Sequence, residues 1–215
     1  MSNENSVVIR PAKSLNGSVR LPGDKSISHR YAMLGGIAEG TTKLEDFSTG
    51  ADCASTLGCL RALGVQWERK DASVTIRGRG LSLQPPSAPL NCGNSGSTIR
   101  MLSGILAGQE FTSELVGDES LSRRPMARII KPLEMMGARI ESAEGGRPPL
   151  RLTGAKLKAI DYKLPVASAQ VKTSLLFAGL YADGTTRIEE PIQTRDHGEL
   201  ALQAFARSWT AACAR

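Results

Sequence analysis

Three times along the chain, at intervals of about 70 residues, a small polar cluster precedes an apolar stretch of helical length. The three stretches read "SISHRYAMLGGIAEG", "NSGSTIRMLSGILAG" and "ASAQVKTSLLFAGLYADG". A chain built this way has to fold like units and pack them on one another. Strand-like segments follow each stretch: "TTKLEDF", "FTSELVG" and "TTRIEEP". Second helices are predicted at "TLGCLRALGV" and "IIKPLEMMGARI", with Gly64 and Gly137 as C-caps. "SVTIRG" and "LRLTG" alternate as short closing strands. The expected architecture is α+β with α/β-type repeats: three βαβαββ units in one domain, the third unit incomplete. After "TRDHGELALQAF" the segment "ARSWTAACAR", residues 206–215, matches neither earlier copy and reads as an aberrant tail.

Helical spacing assigns each first helix a buried face. Ile27, Tyr31, Leu34 and Ala38 form it in the first unit. Met101, Leu102, Ile105 and Leu106 form it in the second, and Val171, Leu175 and Ala178 in the third.

The formal charge of +6 and pI near 9.4 favour anionic partners. Aromatic residues make up only 4% of the chain and its basic residues are interleaved with acids, so stacking platforms for nucleic acid are scarce. Small phosphorylated or carboxylated ligands fit better. Cys53, Cys59, Cys92 and Cys213 form no CxxC pair and only two histidines are present, which excludes zinc-ligand spacing and suits a reducing cytosol. The opening "MSNENSVVIRPAKS" is polar, and no apolar run approaches membrane length. A cytoplasmic protein without nucleic-acid or membrane partners is expected.

The helix starts carry the chemistry. In "LPGDKSISHR" either Asp24 or Ser26 can cap, Ser26 and Arg30 share a face at i and i+4, and Lys25 stands at the mouth. Free N–H groups and the helix dipole there favour an anion, the alternative being solvated charge. His29 reads as a packing or hydrogen-bonding residue. "CGNSGSTIR" brings two glycines and three hydroxyls to the second helix, so a backbone nest for an anion or a plain turn can form. In "ASAQVK" Ser168 can cap while Gln170 can both donate and accept. "SRRPMAR" adds Arg123, Arg124 and Arg128, suited to carboxylate or phosphate. "TRDHGE" offers Arg195, Asp196 and His197 as a catalytic pair or a local ion pair.

In this order, "LPGDKSISHR", "GNSGSTIR", "GDESLSRRPM", "ASAQVK" and "TRDH" resemble the 5-enolpyruvylshikimate-3-phosphate synthase family of enolpyruvyl transferases, over about residue 7 to Phe205. The resemblance implies one domain of an inside-out α/β barrel at 21–205. It also implies that the strand region at 1–20, around Val7 to Ile9, packs with a second domain that this chain lacks. It further implies transfer of the enolpyruvyl group from phosphoenolpyruvate to shikimate 3-phosphate. On it, Lys25 touches both substrates and is the catalytic residue. Ser26, Arg30, Ser168, Ala169, Gln170 and Arg195 hold shikimate 3-phosphate, while Gly96, Arg124 and Gln170 receive phosphoenolpyruvate. No metal or organic cofactor is implied. Tolerant members can carry alanine at the position of Gly96, so glyphosate is the expected inhibitor of an intact enzyme. The expected partner is a separate C-terminal half supplying the acid/base carboxylates, and turnover by this chain alone is expected to be poor. Two readings compete: a relative acting on a UDP-sugar, which would show a reactive cysteine loop, and a non-catalytic phosphate-binding fragment.

Overall fold

The computed structural model describes residues 7–205; the tail read at 206–215 lies outside them. Residues 7–24 carry neither helix nor strand. Val7, Val8 and Ile9, read as a strand that packs with a second domain, are 85%, 79% and 89% exposed, and among the described residues they pair with no strand.

The first stretch runs α1 (Lys25–Ile37), β1 (Thr41–Leu44), α2 (Ala51–Ala62), β2 (Gln66–Lys70) and β3 (Ser73–Arg77). Its strands pair antiparallel in the order β1-β3-β2. The second runs β4 (Leu90–Asn91), α3 (Gly96–Ala107), β5 (Thr112–Val116), the one-turn α4 (Glu119–Ser122), α5 (Ala127–Met135), β6 (Arg139–Ala143) and β7 (Arg147–Thr153). Its order is β4-β5-β7-β6, with β4 parallel to β5. The third runs β8 (Leu157–Lys158), β9 (Asp161–Lys163), α6 (Ala169–Gly179), β10 (Ala182–Asp183), β11 (Arg187–Glu189) and α7 (His197–Phe205). Here β8 pairs parallel with β10 and β9 with β11.

The same local bonds recur in the first two stretches. Gly64 and Gly137 have φ of +84° and +115°, the left-handed conformation that stops a helix, as their place in the sequence predicts. Val65 N then reaches Leu60 O at 3.0 Å, and Ala138 N reaches Leu133 O at 3.1 Å. Behind the closing strands, Gly78 and Gly154 press on the ends of α1 and α3. A Cβ on either would lie 2.1 Å from Ala38 O or 1.9 Å from Gln109 O.

The core gathers around α1, α3 and α6. Met101, Leu102, Ile105 and Leu106, and Val171, Leu175 and Ala178, are buried as their spacing predicts. The expected face of α1 is wrong. Ile27 is 41% exposed, and of the predicted stripe only Leu34 is fully buried, whereas Ser28, His29 and Arg30 are enclosed. The reason is that α1 is surrounded by α2, α3, β1, β3 and α7, so its polar side is buried too and is satisfied by hydrogen bonds. No helix among the described residues is long and apolar enough to cross a membrane.

α3 and α6 touch backbone to backbone: a Cβ on Gly104 would sit 2.0 Å from Ser174 O. Gly104→Ala is therefore expected to lower unfolding stability by about 1–3 kcal/mol in urea titrations. Gly58→Ala, on the exposed side of α2 with nothing within 4 Å, should raise it by about 0.5–1 kcal/mol.

Candidate active site

Each of the three core helices opens on a side-chain cap. Asp24 Oδ1 accepts from Ile27 N at 2.8 Å, Ser95 Oγ from Thr98 N at 3.0 Å, and Ser168 Oγ from Val171 N at 3.4 Å. Asp24, not Ser26, caps α1, which leaves Ser26 Oγ free to accept from Arg30.

Arg30 is 2% exposed and joins α1 to α6. Its Nε donates to Thr173 Oγ1 at 3.0 Å, Nη1 to Ser26 O at 2.9 Å and Ser26 Oγ at 2.8 Å, and Nη2 to Ala169 O at 3.2 Å. A guanidinium has five N–H groups, so among the described residues these four bonds leave one N–H on Nη2 uncommitted. Burial pulls the Arg30 pKa below its ordinary value; Glu199 opposes this and Arg195 adds to it. The structure thus brings Ser26, Arg30 and Ala169 together, with Ser168 at the adjoining cap. Arg195 is exposed between β11 and α7, near enough to Arg30 to be felt electrostatically. Lys25 lies at the same end of α1, its Nζ 2.9 Å from Asp52 Oδ2 and its side chain 58% exposed.

A second cluster surrounds the start of α3. Arg124 Nη2 donates to Asn94 Oδ1 at 2.6 Å and Ser120 Oγ at 3.2 Å. Gln170 reaches across from α6, donating to Ser97 Oγ at 2.9 Å and accepting from Arg100 Nη1 at 3.2 Å. Arg100 also donates to Gly96 O and to Pro125 O. Among the described residues, every oxygen hydrogen-bonded to these two guanidinium groups is neutral. Burial first, then Arg124 and Arg128, lowers the Arg100 pKa. Like charge with neutral partners favours an incoming anion. Gly96 lies between the two: a Cβ there would be 2.6 Å from Arg100 Nη1 and 3.4 Å from Arg124 Nη1.

Arg100 is absent from the residues singled out in the sequence. The signal was spacing: Arg100 follows Gly96 by four, as Arg30 follows Ser26 and Lys172 follows Ser168. Arg123 pairs locally with Glu119. His197 Nδ1 is 4.0 Å from Asp24 Oδ1 across the gap between α7 and α1.

Behind the clusters a buried chain of polar groups links the helices. His29 Nδ1 meets Thr56 Oγ1 at 2.7 Å, Thr56 Oγ1 meets Thr98 Oγ1 at 2.7 Å, and Thr98 Oγ1 donates to Ser95 Oγ at 2.7 Å. His29 on α1 is thereby tied through α2 to the cap of α3. Cys53, Cys59 and Cys92 are buried, and a hydrogen bond with Cys59 together with burial raises the Cys92 thiol pKa, which disfavours a reactive thiolate there.

Clustered arginines, a lysine and a glutamine thus stand at the capped helix starts of an α/β domain, an arrangement suited to anions. A family model described as EPSP synthase (3-phosphoshikimate 1-carboxyvinyltransferase) matches residues 9–207, and the chain belongs to that family. A 3-phosphoshikimate 1-carboxyvinyltransferase of Solibacter usitatus is 58% identical over 95% of this chain and 48% of its own length. One from Thermoanaerobacter sp. is 52% identical over 93% and 47%. A solved EPSP synthase from Acinetobacter baumannii superposes with a TM-score of 0.87 at 50% identity, covering 91% of this chain and 45% of that one. The chain spans about half the length of the relatives it matches.

Burial draws the His29 pKa down to about 4, against a weaker upward pull from Asp52. Between about 6.5 and about 4 the unfolded chain binds a proton that folded His29 refuses, so stability falls as pH drops through that window, by up to roughly 3 kcal/mol. Denaturation between pH 7.5 and 4.5 should show this loss, and His29→Asn should flatten it.

Proposed function

We propose that this chain is the half of an enolpyruvyl transferase that gathers shikimate 3-phosphate and phosphoenolpyruvate, in an enzyme that joins the enolpyruvyl group to the 5-hydroxyl and releases phosphate. Such a reaction belongs to the shikimate route to chorismate and the aromatic amino acids. One observation carries the reading: α6 holds both clusters together, Ala169 accepting from Arg30 while Gln170 bridges Ser97 and Arg100. Two anions that repel each other in water would meet there on one basic face.

In this reading Ser26, Ser168, Ala169, Gln170 and the free N–H of Arg30 orient shikimate 3-phosphate, with Arg195 closing from the loop before α7. Arg124, Arg100 and the backbone at Gly96 receive phosphoenolpyruvate, and Gln170 touches both. Lys25 has the exposure and length to leave Asp52 and place its ammonium between the two ligands. Attack of the 5-hydroxyl oxygen on C2 accompanies protonation of the methylene carbon; the tetrahedral adduct then loses phosphate and a proton. In this reading the carboxylates that move these protons lie in the second domain that the family resemblance implies. Gly96 supports glyphosate as an inhibitor of the complete enzyme, since a methyl there would push into Arg100. The likeness of the first two stretches, and the β9-α6-β11 crossover that parallels β4-α3-β5, support the count of three repeated units in the domain at 21–205.

A thermal melt of the chain with shikimate 3-phosphate tests the reading. Ligand at a hundred times its dissociation constant adds about 2.7 kcal/mol, a shift of several degrees. The shift is expected in the unmodified chain and should vanish in Lys25→Ala. Phosphate release with both substrates is expected only when a C-terminal half is supplied. No shift in the unmodified chain would refute the reading.

A further inference from the structure

Lys172, four residues into α6 from its cap, has a side chain only 5% exposed. Its Nζ lies 2.7 Å from Glu190 Oε2 and 2.5 Å from Glu199 Oε1. Burial alone would lower the Lys172 pKa, but the two carboxylates outweigh it and hold the ammonium charged. The reciprocal effect on Glu190 has the same sense: burial works to raise it, and bonds from Lys172 and Thr194 keep it below its ordinary value.

The two carboxylates bracket the loop that carries Arg195. Glu190 follows β11 and accepts from Thr194 Oγ1, one residue before Arg195. Glu199 stands in the first turn of α7, and its other oxygen, Oε2, is buried without a hydrogen-bond partner among the described residues. Between them Gly198 packs so closely on α6 that a Cβ would lie 2.9 Å from Thr173 Oγ1, the hydroxyl that accepts from Arg30. One ammonium therefore fixes both ends of the 190–199 segment to the helix that forms the floor of the Arg30 site. An ion triad of this kind contributes little net stability once desolvation is counted, and its effect is to fix geometry.

We propose that Lys172 is a positioning residue for the anion site, acting through Glu190 and Glu199 to hold Arg195 over the pocket floor formed by Arg30 and Ala169. The assignment rests on the reading of that site as the shikimate 3-phosphate subsite. Without the ammonium, two facing carboxylates repel, the loop swings out, and the phosphorylated ligand loses a guanidinium partner.

The test is a double-mutant cycle on shikimate 3-phosphate binding by calorimetry. Lys172→Met and Arg195→Ala are each expected to weaken binding about tenfold, and the double variant should be no weaker than Arg195→Ala alone. A lysine that merely stabilised the fold would add its effect to that of Arg195→Ala. Lys172→Met leaves charges unpaired, so the same cycle is run on Lys172→Met/Glu190→Gln/Glu199→Gln, in which none remain. That variant should melt cooperatively, bind about tenfold more weakly, and be indifferent to Arg195→Ala. Independent, multiplying losses, or full affinity in the triple variant, would overturn the assignment alone. Absence of binding by the unmodified chain would overturn the substrate reading and this assignment with it.

Discussion

A guanidinium held inside the protein is the constraint on which this structure turns. Arg30 has given up nearly all contact with water, a loss tolerable only because oxygens on two separate helices replace the solvent. That requirement sets how far α6 can lie from α1. With α6 placed there and against α3 at Gly104, Gln170 falls within reach of Ser97 and Arg100. The second basic cluster is in this sense a geometric consequence of satisfying the first.

The two clusters differ in how they are compensated. Around Arg30 and Lys172 the positive charge is opposed by Glu199 and Glu190. Around Arg100 and Arg124 the directly bonded oxygens belong to amide, hydroxyl and carbonyl groups. The cluster at α3 therefore holds the more exposed electrostatic attraction, suited to a compact, multiply charged ligand. The cluster at α1 and α6 is the more fully compensated and suited to reading the shape of a larger one.

What the sequence disclosed was local. Ser168, and Asp24 as one of two candidates, cap within three residues of themselves, and Gly64 and Gly137 end helices through their own backbone conformation, so each could be read where it stands. Ser26, Arg30, Arg124 and Gln170 were singled out by the same local reading, and Gly96 by the family resemblance. The buried side of α1 was not, because periodicity counts apolar residues, whereas this helix buries Ser28, His29 and Arg30 against partners distant in sequence. Arg100 and Lys172 escaped for a related reason. A basic residue inside an apolar helix looks like surface charge until the carbonyl of Pro125 or the carboxylates of Glu190 and Glu199 are brought alongside.

The contact between Gly104 and Ser174 also governs how the domain can move. Helices separated by a layer of side chains can slide by small rotamer adjustments, but here a backbone carbonyl fills the space a methyl would need. Shear between α3 and α6 is thereby resisted, which keeps Gln170 in register with Ser97 and Arg100. Any rearrangement within the domain must therefore take place in the connections outside this pair, leaving the spacing between α3 and α6 unchanged.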